Sequence, residues 1–398
     1  MNINIKNLLF ALKIKELGTL TLAANAIHLT QSALTQGINK LESELGYSLF
    51  VRTPSGMQTT PVGLCFLSRV ERAFRYLDEF AVTALTKDKA RQWQFSRSIT
   101  TKQLLGLVAL VQQNSYTRAA SVLGLSQPTL HKTIKDAEQI CHDKLVMRSP
   151  AGIEATWLGK QLYRYGLLFF NEIEQGIAEL NEFNGKMNGS LKVGCLPLAR
   201  SSIVPQAILA LNSEFPDANL ALIDGPYQEQ LHSLLHGEID IIVGALRTGS
   251  QNTDISQVPL FNDKLSIVVK AKHPLANKTI FSATELQQLQ WVAPNKSTPA
   301  WHVFSQLFNE RNLNPPSNVI ECSSLVAIRS ILMHSERAAL LPAKQVEVEV
   351  AAGLLAVCPI TLADTDRSIG LTLRKNWQPT QMQAQFLHII KQQTAIYT

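Results

Sequence analysis

Two stretches of this chain repeat one another at a constant spacing. Ala119-Ala120 follows Ala23-Ala24 by about 96 residues, and Leu125-Ser126-Gln127-Pro128-Thr129-Leu130 follows Leu29-Thr30-Gln31-Ser32-Ala33-Leu34 by the same interval. Ile134, Glu138, Leu145, Arg148, Pro150, Gly152, Thr156 and Gly159 then stand for Ile38, Glu42, Leu49, Arg52, Pro54, Gly56, Thr60 and Gly63 without a gap. A fixed offset held over so many positions marks an internal duplication rather than two helices that happen to be alike. Any fold for this chain must therefore contain the same small unit twice.

The chemistry of that unit is clearest in the first copy. Thr19 to Arg52 reads as two short helices, a tight turn and the start of a β-wing. Leu34, Ile38, Leu41 and Leu45 recur at helical spacing, so one face of the second helix is buried. The opposite face carries Gln31, Ser32, Thr35, Gln36, Asn39 and Lys40, with Arg52 on the wing. Short amides, hydroxyls and cations are the groups that read base edges and hold phosphates from a major-groove helix. Thr30 is placed to cap that helix, leaving its first amides available to a phosphate. The competing reading is an ordinary solvated helix in a bundle.

In the second copy Gln127, Thr129, His131, Lys132, Lys135 and Arg148 occupy the outward positions, and Pro128 falls in the first helical turn, where it is tolerated. Its packing positions are worn. Ala137 replaces Leu41, Cys141-His142 replace Leu45-Gly46, and Val146 replaces Phe50, each change removing apolar volume or a turn glycine. DNA contact by this copy and a spacer or docking role both remain open on sequence.

The residues quoted for the first copy resemble the winged helix-turn-helix signature of LysR-type transcriptional regulators. Pro54, Gly56, Thr60 and Gly63 match the wing and the start of the linker helix. The family usually carries a single winged helix, so the second copy is a departure. From Gly189 onward Gly189-Ser190-Leu191-Lys192-Val193-Gly194, Glu214-Phe215-Pro216, Gly237-Glu238-Ile239-Asp240, Val243-Gly244-Ala245-Leu246-Arg247, His273-Pro274-Leu275 and Gly353-Leu354-Leu355 resemble the effector-binding domain of the same family. The resemblance implies two tandem all-α winged helix-turn-helix units with linker helices, followed by an α/β domain with the two-lobed shape of periplasmic binding proteins. The expected domains are 1–90, 91–187 and 188–398. The implied function is sequence-specific DNA binding modulated by a small metabolite, in a branch close to regulators of sugar and aromatic-acid catabolism.

Composition fits that picture. The net charge is +6, and all of the excess of Lys and Arg over Asp and Glu lies in residues 1–187, where phosphate would be met. No apolar run approaches a membrane span, so no membrane partner is expected. The first residues, MNINIKNLLFALKIKELG, have periodic apolar positions and no small-residue cleavage site, which predicts a first helix and residence in the cytoplasm. Cys65, Cys141, Cys195, Cys322 and Cys358 are scattered and odd in number, and predict free thiols.

Two long amphipathic helices follow the wings, from Val62 to about Lys87 and from about Trp157 to Phe183. Either resembles the linker helix through which the family dimerises, and the second, richer in aromatics, is the better dimer helix. A helix so apolar requires a cover, so a homodimer or homotetramer is expected. The polar segment Thr86 to Ser98 reads as the join between copies.

Beyond the hinge Asn184 to Ser190, short apolar runs alternate with amphipathic helices, the mark of an α/β domain with a largely parallel sheet. Ligands of such sheets sit at strand carboxyl ends. Arg200, Ser201 and Ser202 follow the first strand, Arg247 follows another, and Ser297, Thr298, Ser323 and Ser324 open helices in the second lobe. Hydroxyls at helix starts and an arginine suited to a bidentate grip favour an anionic effector. The alternative is that the hydroxyls only cap their helices. His232 and His236 lie four apart near Glu238, but the spacing lacks the Glu of H-E-x-x-H, and neither a metal nor a cofactor is expected. Cys195 has no implied His or Asp partner, so no catalytic residue is assigned. The expected partners are double-stranded DNA, a small effector and RNA polymerase. The rival functions are a DNA-independent adaptor and a hydrolytic enzyme.

Overall fold

The computed structural model describes all residues except 1, 2, 55, 86–88, 187, 248–251, 297, 361, 363, 364 and 398. The first unit consists of α1 (Ile5–Leu17), α2 (Leu20–Ala26), α3 (Gln31–Leu45), the antiparallel wing β1 (Phe50–Thr53) and β2 (Gly56–Thr59), and the long α4 (Pro61–Phe80), which runs on into a π-turn at Ala81–Leu85. After α5 (Lys89–Ser98) come α6 (Thr101–Gln113), α7 (Tyr116–Val122), α8 (Gln127–Cys141), the wing β3 (Val146–Ser149) and β4 (Gly152–Ala155), and α9 (Trp157–Phe183).

The second set of elements has the order of the first because the same caps start its helices. Asn4, Thr19, Thr30 and Thr60 accept backbone N–H bonds at the starts of α1, α2, α3 and α4, and Thr100, Ser115, Ser126 and Thr156 do so for α6, α7, α8 and α9. Gly63 and Gly159 begin the long helices where no side chain fits. A Cβ there would lie 2.2 Å from the Leu49 carbonyl oxygen and 1.9 Å from that of Leu145.

The worn positions of the second unit keep its packing. Ala137 and Cys141 are buried, and α8 has the same 15 residues as α3. His142 takes the left-handed C-cap conformation, φ 55°, that Gly46 adopts with φ 76°, so losing the glycine strains the cap without removing it. Elsewhere bulk has changed sides. In the first unit Phe10 of α1 fills the space over Gly37 of α3, while in the second Gly106 of α6 receives Leu130 and Thr133 of α8. Such an exchange holds volume roughly constant across the contact, which cores tolerate best.

A single apolar cluster runs from Ile3 to Leu180 through both units. Its spine is the contact of α4 with α9, and this differs from the expectation that the apolar side of α9 needs a second chain to cover it. Leu67, Val70, Leu77 and Phe80 of α4 and Leu162, Phe169, Ile173 and Leu180 of α9 are all buried within one chain. Of the segment read as a polar join, residues 86–88 lie outside the described residues and Lys89–Ser98 is a helix, α5, with Phe95 buried against Phe80 at a ring-centroid distance of 4.9 Å.

The remaining elements are β5 (Ser190–Cys195), α10 (Ile203–Glu214), β6 (Asn219–Asp224), α11 (Tyr227–Leu235), β7 (Ile241–Ala245), β8 (Ile255–Lys270), α12 (Ala283–Gln288), β9 (Gln290–Ala293), α13 (Pro299–Asn309), β10 (Val319–Glu321), α14 (Leu325–Met333), β11 (Arg337–Pro342), α15 (Glu347–Ala351), β12 (Leu355–Val357), β13 (Asp366–Arg374) and α16 (Gln381–Thr394). Strand order is β10-β9-β11-β8-β13-β7-β5-β6, with β12 on β8. Strands β5, β6 and β7 are mutually parallel, as are β9, β10 and β11, while β8 and β13 join the two groups antiparallel. Strand β8 spans both groups, since its first half pairs with β13 and its second with β11. Separate apolar clusters underlie the two groups. Arg164 of α9 ties this domain to the long helices, bonding the Leu235 carbonyl at 3.2 Å and Asp254 at 2.7 Å.

Candidate nucleic-acid interface and ligand cleft

Burial of Leu34, Ile38 and Leu41 fixes which face of α3 turns outward. Gln31, Ser32, Gln36, Asn39 and Lys40 are exposed on it, and Arg52 is exposed on the adjacent wing. Three hydroxyls are already engaged, Ser32 Oγ lying 3.1 Å from Thr30 Oγ1. Thr30 Oγ1 accepts from the Ala33 N–H at 3.2 Å, and the half-buried Thr35 donates to the Gln31 carbonyl at 2.9 Å. Lys40 stands 3.9 Å from Glu44, a surface pair too loose to compete with a phosphate.

On α8 the burial of Leu130, Ile134 and Ala137 turns Gln127, Thr129, His131, Lys132 and Lys135 to solvent. Thr129 Oγ1 lies 2.7 Å from the capping hydroxyl of Ser126, and Gln127 accepts from Thr117 at 3.3 Å. Lys132, Lys135 and Arg148 make no ion pair among the described residues. A groove of about 490 Å³ separates α8 from the β3–β4 wing, lined by His131, Lys132, Lys135, Lys144 and Arg148 among others. His131 is stacked on Tyr116 with ring centroids 3.6 Å apart and an interplanar angle of 17°. Sequence reading missed Tyr116 and Lys144, which sit one element away from the recognition helix and show no helical period with it.

In the α/β domain the strand registers bring the two groups of carboxyl ends together. Ala245 at the end of β7 pairs with Ile369 of β13, which pairs with Phe261 of β8, and Pro342 of β11 pairs with Leu265 of β8. Strands β5, β6 and β7 therefore run toward the Lys264–Leu265 crossing from one side, and β9 and β10 from the other. Arg200, Ser201 and Ser202 follow β5, Arg247 follows β7, Thr298 follows β9, and Ser323 and Ser324 follow β10. Ser297 lies outside the described residues.

These candidates are not equivalent. Ser324 caps α14 through the Ala327 N–H, Ser201 donates to the Leu198 carbonyl at 2.8 Å, and Thr298 donates to that of Asn295 at 2.7 Å. Ser202 makes no side-chain cap bond, and Ser323 is exposed. Arg200 pairs with Asp224 at 3.0 Å. Arg247 has no ion pair among the described residues and lies over the Tyr227 ring, 4.4 Å from its centroid. Burial pulls its guanidinium below the ordinary arginine range. The Tyr227 hydroxyl is buried without a hydrogen-bond partner among the described residues. Tyr227 was missed because a tyrosine opening an amphipathic helix reads as core.

The His232–His236 pair is turned inward on its own helix, His236 Nδ1 lying 2.8 Å from the His232 carbonyl oxygen. No group of three or more His, Cys, Asp or Glu is gathered for a metal among the described residues. No helix among them is long and apolar enough to cross a membrane.

Comparison with known proteins agrees with this division. Residues 184–395 match the LysR substrate binding domain, and residues 5–64 and 101–160 each match the bacterial regulatory helix-turn-helix protein, lysR family. The chain is 29% identical over 363 residues to the HTH-type transcriptional regulator GalR of Pseudomonas putida, covering 91% of this chain and 90% of that one. With PcaQ of Agrobacterium fabrum it shares 26% over 279 residues, 70% of this chain and 90% of PcaQ. The first alignment is long enough to take in both units. A full-length OxyR variant from Pseudomonas aeruginosa shares the fold with a TM-score of 0.57 at 21% identity, over 75% of this chain and 96% of that one. CbnR complexed with its target DNA does so with a TM-score of 0.52 at 20% identity, over 73% of this chain and 98% of that one. The chain thus belongs to the LysR family: it is a DNA-binding transcriptional regulator with a substrate-binding domain for a small-molecule effector, and not an enzyme.

Proposed function

We propose that the first unit reads DNA sequence and that the second adds phosphate contacts, both under the control of an anionic effector. The observation that carries this is the outer face of α3, where exposed amides stand beside Lys40 and Arg52. Gln31, Gln36 and Asn39 suit base edges, while the cations suit the backbone. On α8 the positions of Gln36 and Asn39 hold Lys132 and Lys135, so charge replaces hydrogen-bonding discrimination. In this reading 1–90 and 91–187 are tandem copies of one winged helix-turn-helix, and 188–398 is a two-lobed domain of periplasmic-binding-protein type.

The effector sits at the β8 crossing, with Arg247 as its carboxylate or phosphate partner and Arg200, Ser201, Ser202, Thr298, Ser323 and Ser324 around it. Sequence phrases such as Val243 to Arg247 favour the branch concerned with sugar and aromatic-acid catabolism. A regulator of this kind works in the cytoplasm, as a homodimer or homotetramer, and meets RNA polymerase at its promoter.

A mobility-shift assay with the chain's own upstream intergenic DNA tests the reading. Gln31→Ala with Thr35→Ala should lose about 1–3 kcal/mol per base contact and change sequence preference. Lys40→Ala or Arg52→Ala should weaken binding to every sequence and flatten its salt dependence. Normal binding by the Gln31/Thr35 variant refutes the assignment.

A further inference from the structure

We propose that each chain carries a complete two-fold DNA-binding head, its first and second units forming the two arms, so that one chain fills both halves of an inverted-repeat site. This rests on the DNA-binding reading above and adds to it the symmetry of the site and the number of chains on it.

The two-fold relation is visible in the contacts. Helices α4 and α9 are antiparallel, since Cys65 meets Glu179, Arg72 meets Glu172, Phe74 meets Phe169 and Phe80 meets Tyr165. A dyad relating the units must turn each contact into another after exchange by 96 residues. Phe80 with Tyr165 becomes Gly176 with Arg69, and the Cβ position of Gly176 is 3.1 Å from the Arg69 Cβ. Arg72 with Glu172 becomes Leu168 with Tyr76, which line one cavity together. A residue on the axis must meet its own counterpart. The Ile5 N–H donates to Thr101 Oγ1 at 2.9 Å, and these two are 96 apart.

Charge decides which helices pair. Arg69 is buried on α4, bonded to Glu172 at 3.2 Å and to Glu179, while Arg72 also holds Glu172 at 3.1 Å. The dyad counterparts of Arg69, Glu172 and Glu179 are Tyr165, Tyr76 and Thr83. Two α4 helices from different chains would set Arg69 against Tyr76 and Thr83, and two α9 helices would set Glu172 and Glu179 against Tyr165. Both leave buried charges without a partner, so only α4 with α9 is satisfied. With their apolar sides already covered, neither helix offers the pairing face a second chain would need.

Two equivalent units held on one dyad can engage one duplex alike only if its half-sites share that dyad, which makes them an inverted repeat. The arms are unequal. One is read by Gln31, Gln36 and Asn39, and the other is gripped by Lys132, Lys135 and Arg148, so one half-site is specified and the other permissive. Joining the arms covalently makes the second contact intramolecular.

The test uses the full-length protein on duplexes recovered by selection from a random pool. Expected are half-sites in inverted orientation with information concentrated in one, and an equivalence point of one inverted-repeat site per chain. Lys132→Ala with Lys135→Ala should shorten the footprint at the permissive half only and lower the salt slope by about 1.8, from about 0.9 per lost phosphate contact. Half-sites in direct repeat, two chains filling one inverted-repeat site, or an unchanged footprint in that variant would each overturn the proposal while leaving DNA binding intact. Failure of the wild type to select any DNA would instead overturn the DNA-binding reading itself.

Discussion

Replacing Arg69 by alanine strips three partners at once. Its guanidinium holds Glu172 at 3.2 Å, Glu179 through two nitrogens, and the Gln378 carbonyl at 2.9 Å, so it joins α4, α9 and the effector domain. Breaking a buried ion pair by removing one partner costs about 3–5 kcal/mol, because the other charge stays dehydrated. Here Glu172 keeps Arg72, and the Glu179 side chain is 16% exposed and can recruit water. The loss should therefore fall at the low end, about 3 kcal/mol. A chain with several domains has no single unfolding free energy, so the loss is better read locally. Amide hydrogen exchange of α4 and α9 should accelerate about a hundredfold, with β5 to β7 unaffected. The triple change Arg69→Met, Glu172→Leu, Glu179→Leu should recover most of that protection, since apolar replacement of a buried ionic cluster is commonly neutral or stabilising. An acceleration under about tenfold in Arg69→Ala, or one spread evenly over the chain, would refute the reasoning.

Two further outcomes follow from the described groups. Small mono- and dicarboxylates that occupy the cleft should stabilise the wild type thermally, and Arg247→Ala should abolish that stabilisation, whereas Ser324→Ala, which removes only a helix cap, should retain it; equal loss in both would place the anion elsewhere. Burial pushes the thiols of Cys65, Cys141 and Cys195 up to about 12 and that of Cys358 to about 11. Above about pH 8.5 the unfolded chain releases thiol protons that the folded chain retains, so stability falls as pH rises from there toward about pH 12. In Ellman titration of native protein at about pH 8 the buried Cys141, Cys195 and Cys358 should react far more slowly than unfolded controls, and prompt labelling of all three would contradict their burial.

Much of the head was legible because a repeat supplies its own control. Caps, buried faces and outward positions all recur at one offset, so each copy checks the other. What sequence could not show is that the copies embrace. The pairing of α4 with α9 depends on Arg69 meeting Glu172, which lie 103 residues apart, and no local period connects them. The apolar stripe of α9 was read correctly and its cover was sought in a second chain, since a stripe states that it is buried and not by what. Phe10 over Gly37 was invisible for a related reason: bulk exchanged across an interface looks like wear in each strip of sequence taken alone. In the effector half the alternation of strands and helices was legible, but Tyr227 under Arg247 was not, because the two meet only after the fold sets β6 and β7 on either side of β5.

The charge-directed pairing of α4 with α9 bears on inheritance and dosage. In a head assembled from two identical chains, every substitution falls on both arms together, and a defective allele poisons the mixed heads it forms with a sound one. When both arms are encoded in one chain, a substitution at Lys132 alters one arm alone, and heads are not mixed between alleles or with paralogues in the same cell. Each half-site of the operator can then drift with its own arm.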